Sequence, residues 1–266
     1  MAYYKNPITR YILRKNVLRR VKGRYKHYQR LLTKDALTDI AFLEQGRVVN
    51  TIFDVGANIG FMTYQLQRRF ANAEIYAFEP NPYVFDKLES NYRKQNQVHV
   101  FQMGVGDIDG DLKFNINSNT GTSSYLLPGE YHRAHQAKHI KEQKLIPMVT
   151  IDKFCAQESI KHIDILKLDI EGYELRAIIG ANEFISNQEI DIIYTEVNLI
   201  PSYSGQPLFH EITQFLENRH YHIYNVDTFV GQETPIRQAV IGNATYISSR
   251  FRRILEEKFG KQNCGW

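Results

Sequence analysis

The sequence is poor in cysteine, lacks any long apolar run and carries no negative charge at its start. Only Cys155 and Cys264 occur among 266 residues. Two thiols that far apart exclude a disulfide-stapled framework and a thiolate zinc site of the usual spacing. No stretch approaches the roughly 20 apolar residues that cross a bilayer. The basic start is not followed by an apolar segment of the secretory type, so the expectation is a cytoplasmic protein. Internal repeats and low-complexity tracts are also missing. What is present is enough apolar material for a large core, at 43% hydrophobic and 12% aromatic residues, and the length suits one α/β domain with an appendage.

The missing negative charge divides the chain. Residues 1–34 hold 11 Lys and Arg and no Asp or Glu. The remainder holds 22 basic and 29 acidic side chains, so a +11 arm and a −7 body make the net +4. Tyr4, Tyr11, Leu18, Tyr25 and Leu32 recur every seven residues, the pattern of a basic amphipathic helix. A second helix is expected over Asp35 to Gln45, stopped by Gly46. Residues 1–46 are therefore read as an N-terminal helical arm. Three roles are open for its first 34 residues: packing of the Tyr/Leu stripe, attachment to an anionic membrane surface, and RNA binding by phosphate contact and stacking. They rank in that order, nucleic acid last.

Residues 47–266 alternate strands and helices. Short apolar strands are expected at Val49–Asp54, Glu74–Glu79, Val98–Met103, Ile163–Asp169 and Ile190–Glu196, and two late ones at His220–Val226 and Ala239–Ile247. That order predicts a doubly wound, mostly parallel α/β sheet with helices on both faces. Between the third and fourth strands, about 111–147, an irregular insertion that begins with an alternating strand at Leu112–Asn117 is expected to form the substrate or lid region.

Ligands of such a sheet bind at the carboxyl ends of its strands. Phe53-Asp-Val-Gly-Ala-Asn-Ile-Gly60 gives a glycine turn after the first strand, where the backbone can approach a ligand closely. Glu79 ends the second strand and can hold both ribose hydroxyls. Asp107 follows the third strand, placed to accept from an adenine amino group. The glycine spacing is not that of a dinucleotide fingerprint, and an acid at Asp54 is unfavourable beside a pyrophosphate. The charge instead favours a cationic ligand, S-adenosyl-L-methionine.

At this point FDVGANIG, FEPNP at Phe78–Pro82, VGD at Val105–Asp107, VTIDKF at Val149–Phe154 and IDILKLDIEGYE at Ile163–Glu174 together resemble the FkbM-type methyltransferases. The resemblance covers roughly Val48 to Ile247. It implies the Rossmann-like class I methyltransferase fold, with a seven-stranded sheet whose last strand is antiparallel. It also implies O-methylation of hydroxyls on sugars, glycans or other small natural products. By the same resemblance, Asp54, Gly56 and Gly60 lie around the methionine part of the cofactor, with Asn58 in the same loop. Asp169 and Glu171 face the transferred methyl group. Asp169, Glu171 and Glu196 are the candidate catalytic acids, and one of them or one of the loop histidines is expected to take the hydroxyl proton.

Two metal readings are weighed and neither is adopted. Asp169, Glu196 and Asn198 are hard oxygen donors at adjacent strand ends. His132, His135 and His139 share a helical spacing, and Ser123 and Ser124 are further pocket candidates. An RNA methyltransferase guided by the basic arm is an alternative function, weakened by the absence of an Asn/Asp-Pro-Pro-Tyr element after the fourth strand. A non-catalytic protein that binds the cofactor is the other.

Overall fold

The computed structural model describes residues 36–130, 140–227, 230–231 and 239–264. The chain divides into two units, Met1–Phe42 and Leu43–Trp266. The arm pattern of residues 1–34 lies outside the described residues, and helix α1 spans Ala36–Leu43. Gly46 takes φ 77° just beyond it, the left-handed conformation a C-terminal stop requires.

The second unit holds one large sheet. Its strands are β1 (Thr51–Val55), β2 (Glu74–Phe78), β3 (Val98–Phe101), β7 (Ile163–Leu168), β8 (Ile190–Asn198), β9 (Tyr221–Val226), β10 (Val230–Gly231) and β11 (Ala239–Ser248). The order runs β3-β2-β1-β7-β8-β11, with β9 and β10 both pairing with β11. The first five are mutually parallel and β11 runs antiparallel to β8. This is the expected doubly wound arrangement, with the two-residue β10 added at the β11 edge. Every residue of β7 is buried, as befits a central strand covered on both faces.

The helices are α2 (Phe61–Arg69), α3 (Pro82–Tyr92), α4 (Ile151–Glu158), α5 (Glu174–Ile179), α6 (Asn182–Ser186), α7 (Phe209–Glu217) and α8 (Ser249–Phe259). Several starts are written in the sequence. Thr150 accepts from Lys153 N at 3.3 Å to cap α4, Ser248 accepts from Phe251 N at 3.1 Å to cap α8, and Pro82 occupies the first turn of α3. Helix α4 carries Phe154 edge-on to four sheet aromatics, Tyr76 among them at 5.9 Å. Its ring centroid lies 5.7 Å from Phe53, 4.9 Å from Phe78 and 5.0 Å from Phe101. This aromatic layer lies directly beneath the strand ends that carry the site.

The insertion is more regular than expected. Residues Gly110–Asn117 (β5) and Ile140–Val149 (β6) pair antiparallel, and Gly104–Val105 (β4) adds to β6 in parallel. The reason is visible in β6, whose first six residues alternate between half-buried and exposed. Its half-buried positions include Glu142 and Lys144 while Leu145 is exposed, so the period-2 pattern is muted in the sequence. Strand β3 also stops at Phe101, two residues earlier than expected, because Gly104–Val105 leaves the large sheet for the small one.

Candidate active site

A cavity open to solvent lies at the carboxyl ends of β1, β2 and β7. Gly56 and Asn58 contribute from the turn after β1, Glu79 from the end of β2, Met103 and Val105 from beyond β3, and Asp169 and Glu171 from beyond β7. The insertion closes the other side with Phe114, Thr120, Ser123 and Tyr125.

The turn after β1 is held tightly. Gly56 has φ 77°, and a Cβ there would lie 1.9 Å from the carbonyl oxygen of Asp169. Only glycine lets the turn sit against the end of β7. Gly56 N and Ala57 N both donate to Phe78 O at 2.9 Å. Asn58 takes φ 51°, and its N–H donates to Glu79 Oε2 at 2.9 Å. Asn81 N donates to Glu79 Oε1 at 2.8 Å. Glu79 thus receives one backbone N–H on each oxygen, leaving lone pairs for two hydroxyls. Burial pushes its pKa up to about 7 against those two hydrogen bonds. Gly60, by contrast, packs away from the cavity: its carbonyl accepts from Tyr92 Oη at 2.6 Å.

Asp54 is fully buried and does not line the cavity. Thr63 Oγ1 donates to its Oδ2 at 2.6 Å, and Lys167 Nζ lies 3.0 Å from its Oδ1. Asp107 is likewise set back, its Oδ2 accepting from Arg176 at 2.7 Å. The wall beside it is formed by Met103, Gly104 and Val105 together with Tyr173.

Among the candidate catalytic acids, Asp169 and Glu171 reach the cavity and Glu196 does not. Glu171 holds φ 56° although it is not glycine, a strained conformation that the surroundings must enforce. The enforcement is visible. Glu174, buried in the first turn of α5, accepts from Ile170 N at 2.9 Å and Gly172 N at 3.2 Å. Ser124 Oγ donates to Glu171 O at 2.8 Å. Tyr203 Oη lies 2.5 Å from Glu171 Oε2 and 2.9 Å from Thr122 O. Glu196 is held well above the usual carboxylate range, first by burial and then by Asp169, Glu174 and Glu171.

The sequence reading did not single out Lys167, Glu174, Tyr203 or Asn81. Lys167 sits inside the quoted run IDILKLDI, where a lysine in an apolar strand facing two buried layers was a usable signal. Tyr203 lies in a loop with no pattern to mark it. Ser123 lines the cavity and accepts from Asn81 Nδ2 at 3.3 Å.

The histidines at 132, 135 and 139 lie outside the described residues. Among the described residues, His162, Asp164 and Asp191 are grouped closely enough to hold an ion. They sit at the opposite pole, by the amino ends of β7 and β8. A cation already sits there: Arg47 Nη2 lies 2.8 Å from Asp191 Oδ2 and 3.8 Å from Asp164 Oδ1.

A family model, the methyltransferase FkbM domain, matches residues 54–223. The chain belongs to this family. Curated relatives include the methyltransferase sdnD of Sordaria araneosa, 27% identical over 50% of this chain and 60% of its own. The 2-O-methyltransferase NoeI of Sinorhizobium fredii is 22% identical over 58% of this chain and 66% of its own. The hexuronic acid methyltransferase AglP of Haloferax volcanii is 24% identical over 59% of each. The chain thus spans about three-fifths to two-thirds of the length of these relatives. The cofactor of this domain is S-adenosyl-L-methionine, and the cavity suits it. Glu79 keeps acceptor capacity for ribose hydroxyls. Phe78, Met103, Val105 and Tyr173 give the cavity an apolar side compatible with a purine, and Asp169 and Glu171 give it an acidic one compatible with a cationic ligand.

Proposed function

We propose that this FkbM-domain chain is an S-adenosyl-L-methionine-dependent O-methyltransferase acting on a hydroxyl of a sugar, a glycan or another small natural product. One observation carries the reading: a single cavity joins the Gly56–Glu79 nucleoside end to the Asp169–Glu171 acid end. The names of two relatives, a 2-O-methyltransferase and a hexuronic acid methyltransferase, support a carbohydrate acceptor.

When bound, the cofactor supplies an electrophilic methyl group on a cationic sulfur. The chain's residues do the rest. Glu79 holds the ribose through the lone pairs left by the N–H groups of Asn58 and Asn81. Gly56 and Asn58 shape the turn around the methionine part, while Asp54 and Gly60 act from behind it. Asp107 orders the adenine side through Arg176 and the Met103–Val105 wall. Asp169 and Glu171 flank the place where an acceptor hydroxyl must stand, and the acid nearest that oxygen takes its proton. Glu196 stands behind that end with its carboxyl held toward the protonated form by burial and by those acids. Fixing donor and acceptor in near-attack geometry supplies much of the rate effect.

No helix of the described residues is long and apolar enough to cross a membrane. The +11 charge of residues 1–34 supports a cytoplasmic enzyme that attaches to an anionic membrane surface, where each basic residue adds about 1 kcal/mol. Removal of residues 1–34 is expected to abolish retention on anionic liposomes, and unchanged retention refutes that role. The deciding experiment for the function is methyl transfer from labelled cofactor to panels of glycans, lipids and RNA. Label in a glycan or small hydroxyl acceptor supports the reading, and label only in RNA overturns it. A thermal shift with S-adenosylhomocysteine should raise Tm, whereas a response to NADH alone sinks the methyltransferase reading.

A further inference from the structure

Lys167 is a buried cation placed directly behind the cavity. It sits on β7 and is 4% exposed. Its Nζ donates to Gly56 O at 3.0 Å and Val55 O at 3.3 Å, and so ties the turn after β1 to β7. It lies 3.0 Å from Asp54 Oδ1 and 3.9 Å from Asp169 Oδ2. The Asp54 contact is an ion pair without hydrogen-bond alignment. Glu79 is also within its electrostatic range.

The cavity wall itself has one sign of charge. Among the described residues it contains Glu79, Asp169 and Glu171 and no Lys, Arg or His. Such a wall favours a sulfonium donor over the neutral thioether left after transfer. A wall that is too negative over-stabilises the cationic ground state, because the positive charge on sulfur is dispersed as the methyl group leaves. The buried ammonium of Lys167 opposes that excess. Gly56, whose carbonyl it holds, and Asp169, which it faces, both belong to the wall, so its field reaches the ligand through a single layer of atoms.

We infer that Lys167 is a specificity-determining positioning residue that sets how strongly the donor pocket prefers a cationic ligand over its neutral product. The inference rests on the proposed methyltransferase function and deepens it. Product retention, and hence product inhibition, is then tuned by a side chain that touches neither ligand.

The test is calorimetric binding of two probes to the full chain: S-adenosylhomocysteine, which is neutral at sulfur, and sinefungin, which carries an amine cation at that position. In Lys167→Met, loss of the turn anchor weakens the binding of S-adenosylhomocysteine. The ratio of its Kd to that of sinefungin rises by about threefold or more, because the acids are no longer offset. A purely structural role would move both Kd values by the same factor, and an unchanged ratio overturns the inference. Removing one partner of a buried pair can prevent folding. The same comparison is therefore also made between Asp54→Asn and the double variant Asp54→Asn/Lys167→Met, where the partner charge is already gone. The ratio is again expected to rise on loss of Lys167, and equal ratios again overturn it. If the parent protein binds neither probe, the methyltransferase reading fails first and this inference falls with it. If the parent binds both and the ratio stays fixed, only the inference fails.

Discussion

The hydroxyl of Tyr203 lies 2.5 Å from Glu171 Oε2, bridging a loop beyond β8 to the strained residue that follows β7. Burial and the neighbouring Glu171 hold the Tyr203 hydroxyl well above the usual tyrosine range, so it remains a donor. A donor of this kind favours the ionised carboxylate and fixes its direction. Loss of the hydroxyl in Tyr203→Phe should therefore free the Glu171 side chain and lower turnover about tenfold with whichever acceptor the transfer screen identifies, and parental turnover would contradict that positioning role. Glu171→Gln should lower turnover by about a hundredfold or more if Glu171 takes the proton. A glutamine variant with parental turnover would move that role to Asp169.

Glu79 offers a binding test that needs no acceptor. Glu79→Ala removes the ribose partner and strips Asn58 N and Asn81 N of their acceptor. S-adenosylhomocysteine affinity should fall about tenfold to a hundredfold. The parent protein should also lose affinity as pH falls through about 7, where the buried carboxyl takes up its proton. Titration calorimetry at pH 6 and pH 8 checks the direction, and an affinity that rises on acidification contradicts the ribose assignment.

The opposite pole gives a stability prediction. Burial pushes Glu44 up to about 8 from 4.5, against the pull of Arg47. The folded state then keeps a proton that the unfolded chain releases. The associated stability is complete below pH 4.5 and is lost as pH rises toward 8. His162 is also raised, by Asp191 and Glu189 against burial, and acts in the same direction. Tm should fall between pH 5.5 and pH 8.5, and the fall should be smaller in Glu44→Gln. An equal fall in both proteins would remove Glu44 as a source of the slope.

The aromatic layer gives a packing prediction. Phe154 is 3% exposed and meets Phe53, Phe78 and Phe101 edge-on. Phe154→Ala should cost about 3–5 kcal/mol in urea unfolding. A loss below 1 kcal/mol would mean that the site end of the sheet is supported elsewhere.

The strands of the large sheet were legible because a buried parallel strand is mainly apolar on both faces, as Ile163–Leu168 is apart from Asp164 and Lys167. Gly56, Asn58 and Glu79 were legible because local chemistry marks them: a left-handed turn, and an acid at a strand end. The side chains that hold the site together were not, because each meets its partner across the fold. Lys167 finds the carbonyl of Gly56 at a separation of 111 residues, and Tyr203 reaches back 32 residues to Glu171. Asp54 and Asp107 illustrate the same limit, since a motif fixes their place in the chain but not which way the carboxylate points. Strand β6 escaped notice because Glu142 and Lys144 stand at its half-buried positions and Leu145 at an exposed one, which blurs the alternation.

The cavity wall is made of two materials with different tolerance for change. One part is strand ends and tight turns, where Gly56 cannot accept even a methyl group without striking Asp169 O. The other part is the insertion, whose Phe114, Thr120, Ser123 and Tyr125 rest on a small sheet of their own. Apart from Ser123, whose hydroxyl meets Asn81, and Tyr125, whose ring packs on Tyr173, side chains of the second part can change while the first is kept. One frame can thereby be refitted to new acceptors by drift in a single hairpin, while the geometry of transfer is inherited intact.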